Sequence, residues 1–168
     1  NQPFLMGHWA SGYLNGYIYE SLVYNRVLTL TEYRQVEGYL AQKWGFTASL
    51  PAGHPGLGKT YYVSGANSSI VLRRPALGKV PYFSVFTPLS ISGCALWLDA
   101  SQDTTANGVS IASLVDRSGN GYSLTPSGTI TAATNFLRGR TVYNFGSSRA
   151  TYTNFPWQTS FTQIVLVK

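Results

Sequence analysis

A single helix signal, set among short β-prone segments, constrains the fold of this chain more than any other feature. Thr29 and Glu32 have the spacing of a capping box, in which the threonine hydroxyl and the glutamate carboxylate each accept the other residue's amide. Gly45 suits the left-handed cap after the last turn, and Gly38 should allow close packing against a sheet. We therefore predict one short α-helix near residues 30–44. Its apolar stripe comprises Tyr33, Val36, Leu40 and Trp44.

The composition of the rest of the chain favours β-structure. Only 11% of the residues are charged, whereas 14% are aromatic and 17 are glycine. This profile is typical of an all-β protein with many turns, and it excludes a disordered or coiled-coil protein. With 168 residues, the chain is long enough to bury a core, either as one domain or as two incomplete ones.

Segments rich in β-branched and aromatic residues predict the strands. Residues 17–24 follow the turn signal Asn15-Gly16, so we expect a hairpin whose other arm lies within residues 4–9. A small hairpin is predicted between residues 61–63 and 69–72. Further strands are predicted over residues 94–99, 109–115, 141–145 and 161–167.

Two parts of the chain resemble opposite ends of one kind of β-module. Residues 32–46, followed by Leu-Pro-Ala-Gly-His-Pro at residues 50–55, resemble the closing segment of LamG-like, concanavalin A-like jelly rolls. Trp-Leu-Asp-Ala-Ser at residues 97–101 and Asp-Arg-Ser-Gly-Asn-Gly at residues 116–121 resemble the opening segment. Modules of this kind occur in bacterial surface proteins and in structural proteins of large DNA viruses.

The resemblance implies an all-β fold, an antiparallel jelly-roll sandwich with one short packed helix. It also implies that the closing segment of a module comes before the opening segment in this chain. Residues 1–50 would be the C-terminal part of a module, residues 51–91 a basic, aromatic, Pro/Gly-rich connector, and residues 92–168 the N-terminal part of a second or permuted module. Either the two parts complete each other as a permuted sandwich, or each needs strands from elsewhere in a tandem array. We favour the tandem array.

The resemblance further implies a non-catalytic structural or adhesion module of a larger assembly, in a capsid-associated or surface protein of a large DNA virus. Its partners would be other protein subunits, at the virion or an extracellular surface. The alternative is a carbohydrate-binding, lectin-like module with glycans as ligands. Aromatic rings stack on the apolar faces of sugars, although the same rings could instead fill a core. The candidate platform consists of Trp9, Tyr13, Tyr152 and Trp157.

Acidic and amide side chains around residues 116–121 indicate either a small cation site or a tight turn. Asp116 and Asn120, with Asp99 as a further contributor, are the candidate metal ligands, and calcium is the only cofactor that they suggest. Calcium takes about six to eight oxygen ligands, and this loop offers fewer. We therefore favour an Asx-type turn, in which Asp116 accepts amides that follow it in the chain.

Other chemistries are disfavoured by their context. Residues 53–60 match the phosphate-loop pattern, but the flanking sequence predicts neither the preceding strand nor the following helix. The six acidic residues do not alternate on one strand as a glucanase pair would. His8 and His54 lack metal-ligand spacing, and Cys94 among apolar neighbours is expected to be buried rather than nucleophilic. We predict that the chain is not an enzyme.

The net charge of +6 is spread unevenly. Between residues 51 and 90 there is no acidic residue. Such a segment could contact an acidic protein, a phosphate backbone or an anionic lipid surface, but spaced charges are also typical of a solvated linker. Nucleic acid is therefore not a predicted partner, and no stretch is long and apolar enough to span a membrane. The cations of this segment are Lys59, Arg73, Arg74 and Lys79.

Overall fold

The computed structural model describes residues 2–9, 12–57, 60–64, 69–73 and 84–168, with only the backbone for Trp9, for the strands within residues 60–73 and for residues 84–85. The chain divides into two compact units. One, here called the β-unit, comprises Asn1–Val27 and Gly93–Lys168. The other, here called the helix unit, comprises Leu28–Ser92. The described residues form mostly antiparallel β-sheet with one α-helix, which is consistent with an all-β sandwich.

In chain order the elements are β1 (Phe4–Met6), β2 (His8–Trp9), β3 (Gly12–Tyr13), β4 (Tyr17–Tyr24), α1 (Leu30–Trp44), β5 (Thr60–Ser64), β6 (Ser69–Arg73), β7 (Ser84–Phe86), β8 (Cys94–Asp99), β9 (Thr125–Ser127), β10 (Thr131–Leu137), β11 (Arg140–Asn144), β12 (Arg149–Tyr152) and β13 (Thr162–Val167). Short 3-10 turns lie at Thr47–Ser49, Pro88–Ser90 and Ala100–Gln102.

Strand β4 organises the larger sheet of the β-unit. It pairs with β13 along one side and with β8 and β11 on the other, and β10 follows β11. All but the first of its eight residues are buried, as expected for a central strand. The segments before residue 27 and after residue 93 therefore share one sheet. This is the pairing that the permuted sandwich requires.

The smaller sheet of the β-unit has the order β1-β12-β9. Phe4 and Met6 from this sheet join Ile18, Leu96 and Tyr143 from the larger one in a single buried apolar cluster. The expected hairpin between residues 4–9 and 17–24 is wrong, since β1 pairs with β12 and β2 pairs with β3. The start of β4 is instead occupied on both sides, by β11 and by the end of the chain next to β13.

Four other strand predictions are confirmed to within one residue, and one is wrong. The confirmed strands are β4, β8, β11 and β13. Residues 109–115 form only isolated bridges, at Ser110 and Leu114, rather than a strand. The buried side chains of this segment, Ile111 and Leu114, are three residues apart, which does not fit the two-residue period of a strand.

The helix predicted from the capping box is confirmed at Leu30–Trp44. The Thr29 amide donates to Glu32 Oε2 at 2.9 Å, and the Glu32 amide donates to Thr29 Oγ1 at 3.3 Å. Gly45 ends the helix in the left-handed conformation, at φ 86°. Tyr33 is 39% exposed, so the predicted stripe is wrong at its first position. Val36, Leu40 and Trp44 are buried.

The helix unit also contains a three-stranded sheet of order β5-β6-β7. The predicted hairpin is confirmed, because Tyr61 pairs with Leu72 and Val63 with Ile70. Its turn, residues 65–68, lies outside the described residues. The same holds for the side chains of the basic segment, Lys59, Arg73, Arg74 and Lys79. The predicted module boundaries after residues 50 and 91 stay a prediction.

Candidate functional site: the Asp116 loop and its cavity

Asp116 organises the loop of residues 116–122, here called the Asp116 loop. Its Oδ1 accepts the amides of Trp97 at 3.1 Å and Ser118 at 2.8 Å. Its Oδ2 accepts the Ser118 hydroxyl at 2.8 Å and the Tyr122 amide at 2.9 Å. The bond from Ser118 makes the Asx-type turn that the sequence predicts, and the bond from Trp97 fastens the loop to β8.

Asn120 fastens the same loop at a second point. Its Nδ2 donates to the carbonyl oxygens of Cys94 at 3.1 Å and Ala95 at 3.0 Å, and to Ser118 Oγ at 3.0 Å. The Oδ1 of Asn120 accepts no hydrogen bond from a described residue. The amide plane of Asn120 is therefore held in one orientation by backbone at the start of β8.

Asp99, the third candidate metal ligand, serves a different turn. Its Oδ1 accepts the amide of Ser101 at 3.1 Å and the hydroxyl of Ser101 at 2.7 Å, which caps the 3-10 turn Ala100–Gln102. Within the described ranges, no group of three or more His, Cys, Asp or Glu side chains could hold a metal ion. Calcium at Asp99, Asp116 and Asn120 stays a prediction.

An open cavity of about 420 Å³ lies beside the Asp116 loop. The end of β4, the start of β8, the loop itself and the segment after β12 all contribute to its wall. The described lining residues are Asn25, Gly93, Cys94, Ala95, Asn120, Tyr122, Pro156 and Gln158. None of these residues carries a charge at neutral pH. Three carboxamide side chains are the main polar groups.

Gly93 shapes one edge of this cavity. Its φ is +84°, and a Cβ at this position would lie 2.5 Å from Asn25 Oδ1. The Asn25 amide also donates to the Gly93 carbonyl at 2.8 Å, so the chain leaves and re-enters the β-unit at adjacent points. Glycine is required both for the left-handed backbone and for this close approach.

Cys94 lies at the cavity wall with a partly buried side chain, rather than fully inside the core as expected. Burial, together with the negative charges of Asp116 and Glu20, raises the pKa of its thiol to about 12. Since the thiolate is the nucleophilic form, the thiol is poorly suited to nucleophilic attack at neutral pH. Cys94 therefore adds a neutral group to the cavity.

The aromatic platform stays a prediction, and the structure describes ring contacts for three of its four members. Tyr13 packs edge-on against His8 at 4.8 Å, and the side chain of Trp9 lies outside the described residues. Tyr152 and Trp157 instead join an aromatic cluster whose contacting ring centroids are 4.8 to 6.5 Å apart. Its members are Phe4, Tyr122, Tyr152, Phe155, Trp157 and Phe161. Both residues pack against the apolar core.

Two carboxylates of the larger sheet are buried opposite each other. Glu20 on β4 faces Asp99 on β8 in the strand register, and both are fully buried. Glu20 Oε1 accepts the indole N–H of Trp97 at 2.7 Å. No sequence signal predicts this arrangement, because it depends on the register between strands that are far apart in the chain.

In the helix unit, His54 holds the segment after α1 against that helix. Its Nδ1 accepts the Gly56 amide at 3.0 Å, while its Nε2 lies 3.4 Å from Glu37 Oε2. A Cβ on Gly56 would lie 2.9 Å from the Cα of Gly38. Gly38 thus packs against this segment. Its packing against a sheet stays a prediction.

The same segment contains the phosphate-loop match. Thr60 begins strand β5, whereas the phosphate-binding mechanism requires a helix at this point. Gly58 and Lys59 lie outside the described residues. With His54 buried on the helix unit, the surroundings of residues 53–60 do not fit a nucleotide site.

Seven of the eight described lining residues of the cavity were not predicted as site residues, among them the polar Asn25, Tyr122 and Gln158. Asn25 follows a strand and Gln158 lies in a Pro/Trp-containing loop, and neither belongs to a motif that indicates binding. Tyr122 directly follows the loop that resembles a module opening. Its proximity to Asp116 is the one signal that could have placed it at the site.

No protein-family model matches this chain, and no curated protein or solved structure matches it either. Among the helices that the structure describes, none has the length and apolar character that crossing a membrane requires.

Proposed function

We propose that this chain is a non-catalytic structural or adhesion module of a larger assembly, with the topology of a jelly roll. The antiparallel sheets of the β-unit and their shared apolar core support this topology. The observation that carries the functional proposal is the use of the acidic side chains. They stabilise the interior and the turns of the β-unit.

The β-unit contains four acidic residues, and the contacts of each are structural. Glu20 and Asp99 are fully buried, and Asp116 accepts four hydrogen bonds within its loop. Asp103 accepts the Thr105 amide at 2.8 Å, and burial together with this carboxylate raises the pKa of Tyr143. Glycoside hydrolysis needs two carboxyl groups that face the substrate. These contacts favour binding or assembly over catalysis.

Strand β13 supports a role in assembly. It lies at the end of the larger sheet and pairs with β4. Phe161, Val165 and Val167 are 45%, 37% and 49% exposed along this segment. Residues 162–167 contain no charged residue or proline, the usual means of protecting a sheet edge from association. Such an edge is suited to contacts with neighbouring subunits.

The setting that we propose is a capsid-associated or surface protein of a large DNA virus, located in the virion or at an extracellular surface. The resemblance of residues 32–55 and 97–121 to module ends supports this setting. Other subunits of the assembly would be its partners.

Quantitative mass spectrometry of purified particles tests this proposal. The protein should be present in a fixed ratio to the main structural proteins and should resist removal by salt. Val165→Asp should lower incorporation, whereas the matched variant Val109→Asp, at another exposed valine, should not. Release of reducing sugar from a glucan by the purified chain, or its absence from particles, would contradict the proposal.

A further inference from the structure

The cavity beside the Asp116 loop has the size of a small-ligand site. Its volume of about 420 Å³ falls within the range of about 300–1,000 Å³ that is usual for small-molecule pockets. All of its described lining residues belong to the β-unit.

The wall of the cavity selects a neutral polar ligand. Asn25 and Gln158 each carry one carbonyl oxygen that accepts hydrogen bonds and one amide group that donates them. Asn120 offers only its Oδ1 as an acceptor, because its Nδ2 already donates to protein oxygens. With no charged lining residue, the cavity would not compensate the charge of a phosphate or carboxylate. Neighbouring hydroxyl groups of a sugar ring offer the alternating donors and acceptors that carboxamides match.

The polar and aromatic groups of the site are held before any ligand arrives. Asn120 is fixed by three donated hydrogen bonds. The Tyr122 amide is bound by Asp116, and its ring packs against Tyr152 at 5.1 Å and Phe155 at 5.3 Å. Preorganised groups bind more tightly because less motion is lost on binding.

We propose that this cavity binds a neutral sugar ring, with Asn25, Asn120 and Gln158 hydrogen-bonded to its hydroxyls and the Tyr122 ring against its apolar face. The proposal rests on the adhesion role and names its ligand class. Tyr152, which the sequence suggested as part of the platform, packs against the Tyr122 ring instead.

Binding of the full chain to methyl glycosides of glucose, galactose, mannose and N-acetylglucosamine, followed by NMR chemical shifts, tests this site. At least one sugar should shift the resonances of Asn120 and Tyr122. Asn25→Ala and Gln158→Ala should each weaken binding by about fivefold, because each removes a hydrogen bond. Gln163→Ala, a matched change at an exposed glutamine of β13, should leave binding unchanged.

Three outcomes would overturn the sugar site: no shift with any of the four glycosides, equal binding by the Asn25→Ala and wild-type chains, or binding of a charged sugar phosphate in preference to the neutral sugars. Particle incorporation separates this result from the proposed function. If the chain is incorporated but binds no sugar, the cavity proposal fails and the assembly role stands. If it binds and cleaves a glycoside, the sugar site stands and the non-catalytic role fails.

Discussion

The Asp116 loop provides the strongest quantitative test of the structure. In Asp116→Ala, four donors lose their acceptor. The hydroxyl of Ser118 also lies 3.0 Å from the Ala95 carbonyl and can donate to it instead, and the Ser118 amide belongs to a half-buried loop residue. The amide of Trp97 belongs to a buried strand residue, and the Tyr122 amide is partly buried. Leaving a buried donor without a partner costs about 1–3 kcal/mol. Two such losses predict a decrease of about 3–4 kcal/mol in the free energy of unfolding.

Asp116→Asn distinguishes the contribution of Oδ1 to stability from that of Oδ2. An asparagine can keep Oδ1 for the amides of Trp97 and Ser118, but its Nδ2 would face the Tyr122 amide, donor against donor. We expect this variant to lose about half as much stability, near 2 kcal/mol. Arg117→Ala is the matched control. The exposed Arg117 side chain donates to Gln102 O and to no other residue that the structure describes, so its loss should change stability by less than about 0.5 kcal/mol.

Urea unfolding followed by tryptophan fluorescence measures these differences from the midpoint, provided that the slope is unchanged. If Asp116→Ala unfolds at the urea concentration of the wild type, the proposed clamp between the loop and β8 is wrong. The same experiment tests calcium. Calcium should leave the wild-type midpoint unchanged, since protein donors already occupy both oxygens of Asp116. A midpoint that rises with calcium in the wild type, and not in Asp116→Asn, would establish a metal site.

Two further predictions concern buried groups of the β-unit. Ser21 is fully buried, and its Oγ has no hydrogen-bond partner among the described residues, so Ser21→Ala should stabilise the chain by about 1 kcal/mol in urea unfolding. A loss of stability would show that the hydroxyl has a partner. The raised pKa of Cys94, about 12 against 9.0 for an ordinary thiol, predicts alkylation by iodoacetamide at pH 8 on the order of a hundredfold slower in the folded chain than in urea. Equal alkylation rates in the folded and unfolded chains would contradict the burial of Cys94. Because the thiol ionises at a lower pH in the unfolded chain than in the folded one, the free energy of unfolding should decrease between about pH 9 and pH 12.

The features that the sequence predicts correctly depend on residues that are close together in the sequence. The capping box, the stripe and Gly45 specify α1 within one segment, and the Asx-type turn at Asp116 depends on residues two positions away. Strand β4 is likewise evident from its run of apolar residues. These predictions need no knowledge of which strand lies next to which.

Pairing between strands that are far apart in the chain is the part that could not be predicted. Trp97 bonds to Glu20 across 77 positions, and the hairpin expected between residues 4–9 and 17–24 is replaced by pairing of β1 with β12. Strand β10 was missed because its register shifts between Ala133 and Leu137 and it contains a positive φ at Asn135. The cavity was missed for the same reason, since its carboxamides come from three distant segments.

The junction between Asn25 and Gly93 has a mechanical consequence. The chain leaves the β-unit after Val27 and re-enters it at Gly93, next to the paired ends of β4 and β8. A force that pulls Val27 and Gly93 apart would therefore open these strands one hydrogen bond at a time, from Tyr24 and Cys94 inward, rather than shear them all at once. The first bonds to break would lie at the wall of the cavity. Mechanical force in an assembly would thus deform the cavity before it disrupts the apolar core.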